Sequence, residues 1–223
     1  MTVAVLNAML KPLLEGRLPD WLDVRWYATK GEAMELAPQA EIGWFDMHAK
    51  EDMVEAITRA TRLKWLNSII AGLDFLPADL LIERGVTVTN GAGINALTIA
   101  EYVVMGMLSR AKGYREVVRA QDRHEWLRDA PGKRELAGSK ALILGYGAIG
   151  QLVDARLSAF GVDVIKVRRN AGPGTLGPDD WRPRLQEFDW VILAVPATPE
   201  TDGMIGAAEL AAMKPGAELV NVA

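Results

Sequence analysis

Short apolar runs recur along this chain, and each is followed by a stretch with helical spacing. Val3 to Leu6, Ile42 to Phe45, Trp65 to Ile69 and Val86 to Thr89 read as strands, with helices such as Lys50 to Thr61 and Pro77 to Arg84 between them. Apolar runs of this length, interleaved with helices, predict a parallel sheet covered on both faces. After the turn at Asn90-Gly91-Ala92-Gly93 the pattern changes to one long helix, roughly Asn95 to Arg119. It is apolar through Ile99, Val103, Val104 and Met107 and charged beyond them. The alternation restarts at Lys140 to Leu144, with further strands at Val162 to Val167, Trp190 to Val195 and Glu218 to Val222. Asn170 to Asp180, rich in Gly and Pro, reads as a surface loop. The expected fold class is α/β, with two doubly wound parallel-sheet domains, 1–93 and 94–223, and the long helix as a bridge.

One strand-to-helix junction carries chemistry. Gly145-Tyr-Gly147-Ala-Ile-Gly150 supplies G-x-G-x-x-G directly after an apolar strand and at the start of a helix. In a dinucleotide site the first glycine permits a tight turn, the second lets pyrophosphate approach the backbone, and the third lets helix pack on strand. The helix N-terminus offers unpaired N–H groups to the phosphates, here from Ala148 and Ile149. A strand-to-helix turn often needs glycine anyway, so the motif gains weight from its context of strand, motif, helix and second strand in order. The end of that second strand distinguishes the two nicotinamide dinucleotides. An NAD site places an acid there for the ribose hydroxyls. This chain reads Lys166-Val-Arg168-Arg169-Asn170, without an acid. A guanidinium suits a 2′-phosphate, so NADP is the expected cofactor, with NAD the alternative. A solvated basic turn is the other reading of Arg168 and Arg169.

Composition narrows the partners. With 223 residues, half of them hydrophobic, the chain has material for two small cores. A net charge of -4 offers no global attraction to nucleic acid or anionic lipid. There is no cysteine, which excludes disulfides and thiolate metal sites, and the two histidines, His48 and His124, are far apart without ligand-like spacing. No metal is expected, no stretch approaches membrane-spanning length, and a soluble cytoplasmic protein is the simple expectation.

Four blocks, in order and spanning nearly the whole chain, resemble the D-isomer-specific 2-hydroxyacid dehydrogenases, the glyoxylate and hydroxypyruvate reductases among them. They are Ile70-Ala-Gly72-Leu73-Asp74 with Glu83 to Asn90; Asn95-Ala-Leu-Thr98-Ile-Ala-Glu101; the glycine motif; and Leu193-Ala-Val-Pro196-Ala-Thr-Pro-Glu-Thr201 with Met213 to Ala223. The resemblance implies a substrate-side, flavodoxin-like domain beside a Rossmann cofactor domain. It implies hydride transfer between NADP(H) and a small 2-oxo or 2-hydroxy acid such as glyoxylate or hydroxypyruvate, in a protein that forms homodimers. By the same resemblance, backbone N–H groups around Ala71, Gly72 and Leu73 meet the substrate carboxylate, and Asn95 lies near substrate or cofactor. Thr98 and Met105 line the nicotinamide side, Val195, Pro196 and Thr201 flank the cofactor's ribose and phosphates, and Asn221, Val222 and Ala223 run beneath the nicotinamide ribose. Read from residues alone, Ala71 to Leu73 is equally a plain turn, Asn95 a helix cap, Thr98 and Met105 core, and the prolines turn formers.

The family's catalytic arginine directly follows the segment matching Leu219 to Ala223, and its glutamate and histidine come later still. None has a counterpart here. His124 reads as a surface residue, and His48, after a strand on the substrate side, is a minor candidate for substrate contact. The expectation is a C-terminally truncated member whose 223 residues alone turn over poorly. The alternative is a non-catalytic nucleotide-binding or interaction module on the same fold.

Overall fold

A computed structural model describes residues 1–223, which divide into two compact units, Met1–Ala92 and Gly93–Ala223. In the first unit the chain runs β1 (Thr2–Asn7), α1 (Lys11–Leu14), β2 (Leu22–Tyr27), α2 (Lys30–Leu36), β3 (Ile42–Trp44), α3 (Lys50–Arg59), β4 (Trp65–Asn67), α4 (Ala78–Glu83) and β5 (Thr87–Thr89). All pairings are parallel, in the order β2-β1-β3-β4-β5. The strand order reverses direction between β1 and β3, as in a doubly wound fold. Val3, Val5, Tyr27, Phe45, Ile57 and Leu66 are buried in its core. β2 and α2 escape the strand-and-helix pattern read from apolar runs. β2 is an edge strand whose apolar residues alternate with Asp23 and Arg25, and Arg25 is held by Asp23 and Gln39. α2 begins with a capping box between Thr29 and Glu32, a local signal sufficient for a seven-residue helix.

The second unit runs α5 (Ala96–Ala111), α6 (Tyr114–Asp122), β6 (Lys140–Leu144), α7 (Ala148–Ala159), β7 (Asp163–Val167), β8 (Trp190–Leu193), α8 (Ala207–Ala212) and β9 (Glu218–Asn221). Its sheet is parallel, in the order β7-β6-β8-β9. One face carries Ile143 and Ile192 against Val103 and Met107 of α5 and Val153 and Leu157 of α7. The other carries Leu142, Leu144 and Val191 against Trp181, Leu185 and Phe188. The architecture is thus α/β with two parallel sheets, and no helix is long and apolar enough to cross a membrane.

Three sequence expectations need correcting. The long helix from Asn95 to Arg119 is two helices. The break falls at Gly113, whose φ of +62° no longer continues an α-helix, and a Cβ there would lie 2.8 Å from the backbone nitrogen of Gly132. Thr98 and Met105 are not core. They are exposed, because α5 turns Ala100, Val103, Met107 and Ala111 inward instead. The loop after β7 is more than surface. Leu176 returns to β7, donating to the Lys166 carbonyl at 2.8 Å and accepting from Arg168 N–H at 3.0 Å.

Candidate functional site

The glycine turn after β6 separates requirements of the fold from those of a ligand. Gly145 has φ +99°, and a Cβ on it would stand 2.5 Å from the Ala194 carbonyl oxygen. Its N–H donates to Val167 O at 3.2 Å, so the turn is wedged between the ends of β7 and β8. Gly150 is buried in α7, and a Cβ there would meet the Gly145 oxygen at 2.2 Å. Both glycines are needed simply to build the junction. Gly147 is different. Its φ of -90° and ψ of -154° suit any residue, and nothing lies within 4 Å of where its Cβ would be. The N–H groups of Gly147, Ala148 and Ile149 donate to no protein acceptor. Three aimed amides and a bare, unobstructed backbone at the N-terminus of a twelve-residue helix make a seat for an anionic group.

Beside that seat, a cleft of about 930 Å³ lies across the carboxyl ends of β6, β7 and β8. Gly145, Tyr146, Gly147, Arg168, Arg169, Val195, Pro196 and Thr201 line it together. Arg182, also in the wall, is tied to Glu209 at 3.1 Å and stacks on the Trp181 ring. Arg168 and Arg169 are exposed and enter no ion pair, so their donors face the cleft mouth uncommitted. Two acids, Asp179 and Glu200, share the lining. The Thr198 hydroxyl and its own backbone N–H, reinforced by the charge of Arg169, hold the Glu200 carboxyl below the usual range. Thr201 closes the turn after β8, donating to the Pro196 carbonyl at 2.6 Å and accepting from Thr198 N–H at 2.9 Å. Val195, Pro196 and Thr201 also line an adjoining groove of about 640 Å³ with Asn221 and Ala223, where the Asn221 amide oxygen accepts from Ala223 N–H at 3.0 Å.

In the first unit the loop after β4 is held from below. Asp46 accepts from Ile69 N–H at 2.7 Å, from the Ser68 hydroxyl at 2.6 Å and from Trp44 Nε1 at 2.6 Å. Asn90 donates to the Ala71 carbonyl at 2.6 Å, and Gly91 packs so closely on Ile69 that a Cβ would lie 2.0 Å from its oxygen. Ala71 and Gly72 are exposed at the top of this scaffold, while Leu73 packs against the core. The N–H groups of all three donate to no protein acceptor. A rigid loop presenting free amides is a second, smaller anion seat. His48 lines a separate cleft of this unit, about 800 Å³, at the ends of β1 to β4 with Asn7, Tyr27 and Trp44.

Not every residue singled out from sequence joins these clefts. Ala148, Ile149 and Gly150 belong to the start of α7 rather than to the cleft wall. Thr98 lies exposed on α5, and Val222 packs into the core beneath α5 and α7. Asn95 occupies the first capping position of α5, yet its side chain caps nothing and stays exposed, so the capping role is not what it does. His124 is exposed after α6. Sequence reading missed Trp181, Arg182, Met204 and Tyr146 as cleft residues. Tyr146 was legible as the residue inside the glycine motif. Trp181 and Arg182 follow the segment in which Leu176 pairs with the end of β7, a pairing that nothing local announces.

A doubly wound unit with a glycine turn, a free helix N-terminus and a strand-end cleft defines a dinucleotide-binding α/β protein. Comparison with known proteins agrees and goes further. The profile of the D-isomer specific 2-hydroxyacid dehydrogenase NAD binding domain matches residues 104–223. The chain therefore belongs to the D-isomer-specific 2-hydroxyacid dehydrogenase family, oxidoreductases acting on CH–OH donors. It is 32% identical over 213 residues to a D-3-phosphoglycerate dehydrogenase of Mycobacterium leprae, covering 92% of this chain and 40% of the relative. It is 31% identical to the glyoxylate reductase of Thermococcus litoralis over 75% of this chain and 54% of that protein. A crystal structure of a family member from Aeromonas salmonicida superimposes with a TM-score of 0.82 at 26% identity, covering 99% of this chain and 72% of that one. The chain thus spans about two fifths to one half of the length of these curated relatives.

Proposed function

We propose that this chain is the dinucleotide-binding and carboxylate-binding part of a reductase that interconverts a small 2-oxo acid, such as glyoxylate or hydroxypyruvate, and its 2-hydroxy acid, with NADP(H) preferred over NAD(H). The observation that carries the reading is Gly147, a glycine that the fold does not require at the one point where a pyrophosphate must touch backbone. The amides of Gly147, Ala148 and Ile149 bind the pyrophosphate. Val195, Pro196 and Thr201 border the ribose and phosphates, with Asn221 and Ala223 and the exposed Thr98 toward the nicotinamide. Ala71, Gly72 and Leu73 orient the substrate carboxylate through their free N–H groups, and Asn95 contributes a side chain that no cap consumes. The bound dinucleotide supplies or accepts the hydride; the chain's own residues bind, orient and exclude water. Acid–base chemistry is assigned to none of these 223 residues. Neither histidine lines the cleft beside the glycine turn: His48 belongs to the first unit's own cleft and His124 to a separate pocket after α6. The 223-residue polypeptide is accordingly expected to bind dinucleotide without efficient turnover. Self-association as a homodimer through α5 completes the reading.

Cofactor preference rests on Arg168 and Arg169 at the end of β7, where a carboxylate would serve the ribose hydroxyls of NAD. Equilibrium titration of the purified chain with NADPH and NADH tests it. NADPH is expected to bind the more tightly, and Arg168→Asp to cut the preference by about tenfold to a hundredfold. That is the worth of a charge-assisted hydrogen bond, about 1.5–3 kcal/mol. Equal affinities for the two, unchanged by the substitution, would leave Arg168 as a solvated turn residue.

A further inference from the structure

The glycine turn contains a side chain that the binding reading does not use. Tyr146 sits between Gly145 and Gly147, where the backbone has the most freedom and where a binding seat has most need of rigidity. Its hydroxyl donates to Asp154 Oδ2 at 2.6 Å, two turns along α7. Asp154 is buried, and the same oxygen lies 3.1 Å from Lys166 Nζ of β7, while Ser158 donates to its other oxygen at 3.1 Å. The Lys166 ammonium is also 5.6 Å from the centre of the Tyr146 ring. The cluster therefore links three elements at one point: the turn, the helix that begins from it, and the strand that leads into Arg168.

We propose that Tyr146 is a positioning residue for the dinucleotide, acting through Asp154 and Lys166 to fix the glycine turn whose amides meet the pyrophosphate; this rests on the dinucleotide reading given above. Stability alone does not call for such a cluster. Asp154 is buried while the Lys166 side chain keeps 28% of its surface exposed. An ion pair withdrawn this far from water is commonly matched by apolar residues of similar volume, and the neighbouring positions Val153 and Leu157 are apolar. What the charged version adds is direction. It offers the Tyr146 hydroxyl a single oriented acceptor, and the ring is held at one end by the carboxylate and approached by the ammonium. Because pyrophosphate is common to both dinucleotides, Tyr146 contributes equally to NADPH and NADH. Arg168, just past the end of β7 and two residues beyond Lys166, discriminates between them.

Dissociation constants of NADPH and NADH, measured beside thermal unfolding for the same chain, test this. Tyr146→Phe is expected to raise both constants by a similar factor, about fivefold, equivalent to one hydrogen bond. The paired change Asp154→Leu with Lys166→Met is expected to weaken both dinucleotides to the same extent while the melting temperature holds or rises. Adding Tyr146→Phe to that pair should then change nothing more. Unchanged constants in Tyr146→Phe, a loss confined to NADPH, or additive effects of the three substitutions would each overturn the proposal. A wild-type chain that binds neither dinucleotide would instead overturn the reading on which it rests, and the proposal with it.

Discussion

The three glycines of one motif ask for three different experiments, because each is glycine for its own reason. At Gly145 and Gly150 an added Cβ would press on a carbonyl oxygen at 2.5 and 2.2 Å, so alanine there distorts the junction itself. Overpacking of this kind costs about 1–3 kcal/mol, and Gly145 adds the strain of a positive φ. Gly147→Ala meets nothing and keeps its backbone, so its stability should stay within about 0.5 kcal/mol of wild type. Its dinucleotide affinity should nonetheless fall at least about tenfold, because the methyl group stands where pyrophosphate approaches. Melting curves read beside binding titrations check the pair. Loss of stability without loss of affinity in Gly147→Ala would remove the main support for the site. The motif was fully legible in the sequence, yet the division of labour within it was not. That Gly145 belongs to the fold depends on Ala194, some fifty residues away, and the chain between carries no local sign of that approach.

At the scale of elements, β8 is the strand on which the second unit depends, since it pairs with β6 on one side and β9 on the other. Asp189, the residue before it, ties all three starts together. Its carboxylate accepts from Lys140 N–H of β6 at 2.9 Å and from Lys214 Nζ at 2.7 Å, while its carbonyl accepts from Glu218 N–H of β9 at 2.9 Å. Burial alone would raise its pKa. The Lys214 and Lys140 hydrogen bonds, with the charges of Lys214 and Arg134, outweigh that and hold it below the usual carboxylate range. A depressed folded-state value means stability present at neutral pH and lost as pH falls through that value, roughly below pH 4. Asp189→Asn should therefore cost about 1–2 kcal/mol at pH 7, and the gap to wild type should close on acidification. A gap that is the same at pH 7 and pH 3 would show that the charge is not what matters. Buried strands such as β6 and β8 were legible as apolar runs. The edge strand β2 was not, because one-sided burial leaves alternating residues, and the helix break at Gly113 depends on the distant Gly132.

For the whole molecule the decisive feature is a helix that is apolar on more than one face. α5 buries Ala100, Val103, Met107 and Ala111 against its own unit. On its other faces Leu97, Tyr102 and Met105 remain 52%, 62% and 54% exposed, and Trp126, beyond α6, is 91% exposed. Glu101 and Arg110 give the helix some polar surface, but several large apolar side chains left exposed on one helix suit a contact surface. Polar solvent-facing positions would have served a monomer better, so the proposed homodimer places these side chains against a second copy. Sedimentation over a range of concentrations should show a reversible monomer–dimer equilibrium. Met105→Glu should weaken it by about a hundredfold, since an unpaired carboxylate in an apolar contact costs roughly 3 kcal/mol or more. Ile82→Glu supplies the control, because Ile82 is also exposed, at 77%, but lies on α4 of the first unit. If both substitutions act alike, the association is nonspecific burial of apolar surface. If the wild-type chain stays monomeric at every concentration, α5 is not the contact and the dimer falls. An effect of Met105→Glu alone locates the interface on the helix that opens the dinucleotide-binding unit, which would join assembly and cofactor binding in one element.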